Sequence, residues 1–194
     1  MKTIILIAAI APCLIACSSN ESGSNKIKSK AGSAQSGIAK KDTTKKSIPS
    51  ETKKWVGNTD IKINYHAPAV RGRTIWGGLV AYDAVWVTGA HKATSLEVGK
   101  DCKVGNKTIP AGKYAIFTIP GKEEWTIIIN KNWSQHLADD YSETDDVVRL
   151  KVKPEVTGNV VERLQYEIDQ RGERLADIII SWEKVRVSFL MEIL

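Results

Sequence analysis

Cysteine, histidine and long apolar runs are all scarce in this chain, and each shortage removes a class of function. The three cysteines are Cys13, Cys17 and Cys102, so there is no C-x-x-C pair for a zinc ribbon or a dithiol redox centre. G-x-G-x-x-G, P-loop, G-x-S-x-G and H-E-x-x-H patterns are absent as well. The commonest local devices for dinucleotide, nucleotide, ester and zinc-peptide chemistry are therefore missing. The histidines, His66, His91 and His136, are too far apart in sequence to make a local metal-ligand spacing. The one long apolar run, residues 3–15, is too short to cross a bilayer comfortably as a helix.

What that run does contain is a targeting pattern. Lys2 supplies a positive n-region, and the run ends in Leu14-Ile15-Ala16-Cys17, which resembles the bacterial lipobox Leu-x-Ala/Gly-Cys. The resemblance implies cleavage after residue 16, a diacylglyceryl thioether on Cys17, and N-acylation with a palmitate-type chain. Several acyl chains on one residue satisfy the two-signal requirement for stable membrane anchoring. With Cys13 discarded and Cys17 lipidated, Cys102 stands alone and the mature domain forms no intramolecular disulfide.

Charge is unevenly placed. From residue 18 to 54 nine lysines oppose three acidic residues, whereas from residue 55 onward 18 Lys and Arg oppose 19 Asp and Glu. The high isoelectric point belongs to the leader and tether. The folded part carries no basic excess, which argues against a nucleic-acid partner. Residues 17–54 are rich in Ser, Gly, Lys and Thr with almost no large apolar side chains, and they read as a disordered, lipidated tether. The division is thus signal peptide 1–16, tether 17–54 and a domain over 55–194. Residues 18–21, Ser-Ser-Asn-Glu, only weakly match a surface-export signal. The expected location is the cell envelope, on the periplasmic face of the outer membrane.

Within the domain, strand periodicity dominates. Residues 113–119 and 125–130 carry apolar groups on both faces and are joined by Pro120-Gly121-Lys122-Glu123, where Gly would accept φ > 0. This pair should lie centrally in a sheet covered on both sides. Ile61, Ile63 and Tyr65 alternate with polar neighbours, as do Val148, Leu150 and Val152, then Leu164, Tyr166 and Ile168, then Val185 through Ile193. Residues 84–88, 93–98 and 177–182 also read as strands, and Gly105-Asn106 reads as a tight hairpin loop. One short helix is expected over residues 133–141. The pattern predicts an all-β, antiparallel two-sheet sandwich of short strands.

Candidate site residues are few. His91 sits in a Gly-bounded loop between strands, the kind of place where sandwich sites are built. Arg71 and Arg73 flank Gly72 in a turn and could clamp an anion. The acidic stretch Asp139, Asp140, Glu143, Asp145 and Asp146 does not match an EF-hand and reads as a solvated loop. Most of Trp76, Trp86, Trp125, Trp133 and Trp182 are expected in the core, although an exposed one could stack on a sugar or peptide. Nothing beside Cys102 would activate its thiol.

Four stretches together resemble the family of domain of unknown function 2911, exported bacterial proteins prominent in the Bacteroidota. They are P-A-V-R-G-R-T-I-W-G-G-L-V-A-Y at 68–82, V-W-V-T-G-A-H-K-A-T at 85–94, I-P-A-G-K-Y-A-I-F-T-I-P-G-K-E-E-W-T at 109–126, and D-D-V-V-R-L at 145–150. The resemblance implies an exported, mostly β domain without assigned activity. The family's Trp-x-Thr-Gly-Ala segment usually carries Arg at its second position and Asn after Ala, where this chain has Val87 and His91. No catalytic role is carried over. Two functions of different class follow. One is a non-catalytic module binding a ligand or protein partner at one end of the sandwich, with Arg71, Arg73 and His91 as binding residues. The other is a hydrolase or metal-dependent enzyme with a loop site around His91. No cofactor is implied, and the membrane is a partner through Cys17.

Overall fold

The computed structural model describes residues 46–194. The expected signal peptide, Cys17 and the expected tether up to residue 45 lie outside the described residues. Two antiparallel sheets face each other. The larger contains β1 (Ile48–Val56), β2 (Thr59–Ala67), β3 (Thr94–Val98), β6 (Gly112–Ile119), β7 (Trp125–Asn130) and β8 (Asp146–Val152), in that spatial order. The smaller runs β5 (Lys107–Ile109), β4 (Cys102–Val104), β10 (Leu175–Ile193) and β9 (Glu155–Gln170). The expected all-β sandwich is what forms.

Alternation explains the packing. Ile61, Ile63 and Tyr65 of β2 turn inward, while Lys62, Asn64 and His66 between them face outward. They meet Leu164, Tyr166 and Ile168 of β9 and Ile178, Ile180 and Trp182 of β10 in one core. As expected of the central pair, β6 and β7 are buried on both faces. Ile116, Ile127 and Ile129 enter the main core, and Ala115, Phe117 and Ile128 enter a second cluster on the outer side. Val87, Ala93, Ala138 and Tyr141 close that second cluster from above, so residues 84–93 and 131–142 form a layer over the larger sheet. The Gly105-Asn106 hairpin also forms, with Gly105 at φ 60 in the first loop position, where only glycine is free of strain.

Several expectations are corrected. The ordered domain begins before Trp55, because residues 48–54 form most of β1, an edge strand paired with β2 from Ile48↔Ala67 to Val56↔Thr59. Its polar composition suits a strand that buries little, and Trp55 itself is 64% exposed. Residues 133–141 are not helical. Leu137 takes φ 49, incompatible with a right-handed helix, and donates its N–H to His91 O at 2.7 Å. The helical turn that does form is a 3-10 turn at Glu143–Asp145. Residues 84–88 are a loop tied to β6 by Trp86 N–H to Thr118 O (2.8 Å) and its reciprocal bond (2.9 Å). Gly121 does not use positive φ. It is required because a Cβ there would collide with Glu124 O.

β10 combines two expected strands in one extended run. Nineteen extended residues would span about 60 Å, yet Ile193 N–H donates to Arg174 O at 2.8 Å. The run therefore doubles back, and the reversal coincides with Glu183 at φ 55. Its first part pairs with β9 (Ile178↔Ile168) and its last residues with β4 (Ile193↔Cys102).

Candidate functional site

Thr88 is the pivot at one end of the sandwich. A β-branched residue at φ 50 is strained, and it persists only where its surroundings over-determine it. Here they do. The buried Thr88 hydroxyl donates to Trp86 O at 3.2 Å and lies 3.0 Å from Thr118 Oγ1. Its carbonyl accepts from Thr94 Oγ1 (3.0 Å) and from the Tyr166 hydroxyl (3.0 Å). Tyr166 lies on β9, so this last bond ties the loop to the opposite sheet through the core. Burial drives the Tyr166 phenol strongly upward, so it stays a donor.

The pinned loop presents His91, at φ 65, to a cleft of about 350 Å³. Arg71 (φ 51) and Arg73 line the same cleft, as does Leu137. Sequence reasoning chose Arg71, Arg73 and His91 separately, and the fold brings all three together. Arg73 also holds its own turn, with Nη2 donating to Ala69 O (2.6 Å) and Nε to Val70 O (3.2 Å). The Arg71 backbone N–H donates to Glu162 Oε1 at 2.9 Å, anchoring the turn to β9. Trp86 and Trp182 form an aromatic wall, stacked at 5.7 Å between centroids with 19° between planes. Trp182 carries a buried indole N–H without a partner among the described residues. No Asp, Glu or Cys lines the cleft, whereas Lys46, Arg71 and Arg73 do.

His91 meets His66 edge-on, with ring centroids 5.4 Å apart. His66 belongs to a second depression, a groove of about 520 Å³ on the outer face of the larger sheet. Burial, then the neighbouring His91 and Lys92, lower the His66 pKa. Residues 131–142 wall this groove and bring in Trp133 and His136. Lys113 Nζ sits 4.1 Å from the centre of the Trp133 ring. His136 Nδ1 lies 3.2 Å from Asp139 Oδ2. All three histidines thus gather at one end, but on two different depressions. Among the described residues no group of three or more His, Cys, Asp or Glu is arranged to hold a metal ion.

Within the acidic stretch, Asp146 has a structural role. Asp146 accepts from Tyr141 Oη (2.7 Å), Arg149 Nη1 (2.7 Å) and Asn130 Nδ2 (2.7 Å). Burial first, and then the Asp146 carboxylate, push the Tyr141 phenol up to about 12. Asn130 also donates to Ser142 O at 3.0 Å. This network fixes the groove wall and accounts for D-D-V-V-R-L, whose role sequence reading missed because Asn130 and Tyr141 lie outside that motif. Cys102 is buried, and burial raises its thiol to about 12, so it is inert. Trp76, Trp86, Trp125 and Trp182 pack ring against ring, as expected of core aromatics. Trp133 is half-exposed.

Residues 47–191 match a family model described as a protein of unknown function (DUF2911), and the chain belongs to that family. No curated protein and no solved structure matches the chain.

Proposed function

From membership of a family whose description assigns no activity, we propose a lipid-anchored cell-envelope module that binds, without transforming, an anionic ligand. The binding place is the cleft of Arg71, Arg73 and His91. One observation carries this reading: three residues from two separate loops converge on a cleft lined by cations and aromatic rings, with no acidic residue among those that line it. Strain points to the same place. Of the six non-glycine residues with positive φ among the described residues, Arg71, His91 and Leu137 line the cleft, and Thr88 and Glu183 adjoin it in sequence. Strained backbone of this kind gathers where a fold holds side chains for a task. Binding is favoured over catalysis because His91 has neither a carboxylate to orient it nor a thiol to activate in the cleft. A stacked indole wall beside guanidinium groups suits an anion with an apolar part.

The test is thermal shift and calorimetry of the mature protein against carboxylates, phosphates and neutral analogues. Anions at a hundred times their Kd should stabilise the fold by about 2.7 kcal/mol, and neutral analogues should not. Arg71→Asn and His91→Asn should weaken binding without lowering Tm, since Asn tolerates positive φ. Stoichiometric bound metal would instead favour the hydrolase or metalloenzyme. So would turnover on ester, phosphate, peptide or glycan substrates that is lost in His91→Asn.

Anchoring is proposed from Leu14-Ile15-Ala16-Cys17. The mature protein should begin at Cys17 with the added mass of acyl chains, and Cys17→Ala should accumulate as precursor. A soluble mature protein with no added mass would refute anchoring while leaving the cleft untouched.

A further inference from the structure

Large apolar residues are exposed at several places on the described domain, and three of them stand at the cleft end. Leu79 and Leu137, 49% and 39% exposed, both line the cleft of Arg71 and Arg73. Ile48, 40% exposed, stands at the same end, because β1 pairs it with Ala67 directly before Pro68 and Ala69 of the cleft wall. Large aliphatic side chains set among arginine and lysine are what an interfacial surface offers. The aliphatic groups reach the acyl boundary while the cations meet headgroups.

The path of the chain agrees. Lys46 and Ser47 line the cleft, so the polypeptide leading back to Cys17 joins the domain at this end. Residues 18–45 hold six lysines against Glu21 and Asp42. Covalent geometry limits those residues to a reach of about 100 Å. The opposite end of the domain lies where Gly57 approaches Arg174 and where Leu194 N–H donates to Asp101 O (3.0 Å).

We propose that the cleft end of the sandwich docks on an anionic bilayer, with Leu79 and Leu137 entering the interface. The headgroup of an anionic lipid is then the anion that the cleft takes. This rests on the reading of the cleft as an anion site and adds the source of the anion. Lipidation at Cys17 concentrates the domain at the surface, and the attachment point on the cleft rim orients it. Docking in turn shields the aliphatic patch, which a soluble monomer would leave in water.

The experiment uses the mature chain with Cys17→Ser, which removes the anchor, and vesicles of phosphatidylcholine with or without phosphatidylglycerol. A polarity-sensitive dye is placed on Leu79→Cys or, as a control at the far end, on Leu194→Cys. Cys102 is buried and will not compete for the label. The expected result is a blue shift at position 79 on anionic vesicles, with none at position 194 and none on neutral vesicles. Leu79→Asp combined with Leu137→Asp should lower affinity for anionic vesicles by about tenfold, or about 1.4 kcal/mol, with Tm unchanged. Equal shifts at both positions, or none, would overturn docking. An unchanged affinity in the double variant would also overturn it, since binding would then come from the tether lysines alone. Binding of free glycerol phosphate without any shift at position 79 would sink the docking surface and leave the cleft reading standing. Binding to neither would sink both.

Discussion

Four acids of this domain are held protonated by their surroundings. Burial raises Cys102 and Tyr141 to about 12 each, and it pushes Tyr114 and Tyr166 upward. An acid whose folded pKa lies above its unfolded value stabilises the fold fully below the unfolded pKa. That stability is lost as pH rises through the folded value. Unfolded thiols and phenols titrate near 8.5 and about 10, so the window runs from about pH 9 to 12. The denaturant midpoint should be flat between pH 7 and 8.5 and fall steadily above pH 10, with Tyr141→Phe showing a shallower fall. A midpoint that holds through pH 11.5 would contradict the burial of these groups. His66 acts in the opposite direction. Its lowered pKa means a small loss of stability as pH drops below about 6.5.

Among the elements, β6 and β7 bear the most structure, because each buries both faces. Phe117 is fully buried on the outer side, with its ring centroid 5.3 Å from that of Tyr141. Phe117→Ala should cost about 3–5 kcal/mol. The same change should loosen Val87 and Ala93, and with them the loop carrying His91, so anion affinity should fall too. Phe117→Leu should be far milder on both measures, and equal effects from the two would show that the outer cluster is loosely packed. The strands of this sandwich were legible because Ile61, Ile63 and Tyr65 or Leu164, Tyr166 and Ile168 alternate, and alternation is a local property. Residues 133–141 misled because Trp133, Leu137 and Tyr141 recur every four residues, as on a helix face. What decides their conformation lies outside the stretch: the His91 carbonyl and the Phe117 ring far back in the chain, and the Asp146 carboxylate just beyond it. The polar run at 48–54 misled for a similar reason. An edge strand needs a partner's backbone more than a hydrophobic face of its own.

At the scale of the molecule, the candidate site was half legible. Arg71, Arg73 and His91 could be named from loop position and residue type, but their meeting depends on how β2, β3 and β9 align. Thr88 gave no signal, since its importance lies in a positive φ and in a bond from Tyr166, 78 residues away. The fold-back of β10 has a consequence in time. Trp182, Val187, Phe189, Met191 and Ile193 all belong to the main core, and Ile193 pairs with Cys102, far back in the chain. A chain emerging amino-terminus first cannot close this core until residues 182–193 have emerged. Contacts so distant in sequence make slow folders. This core therefore closes late, once residues 182–193 can join the strands that precede them.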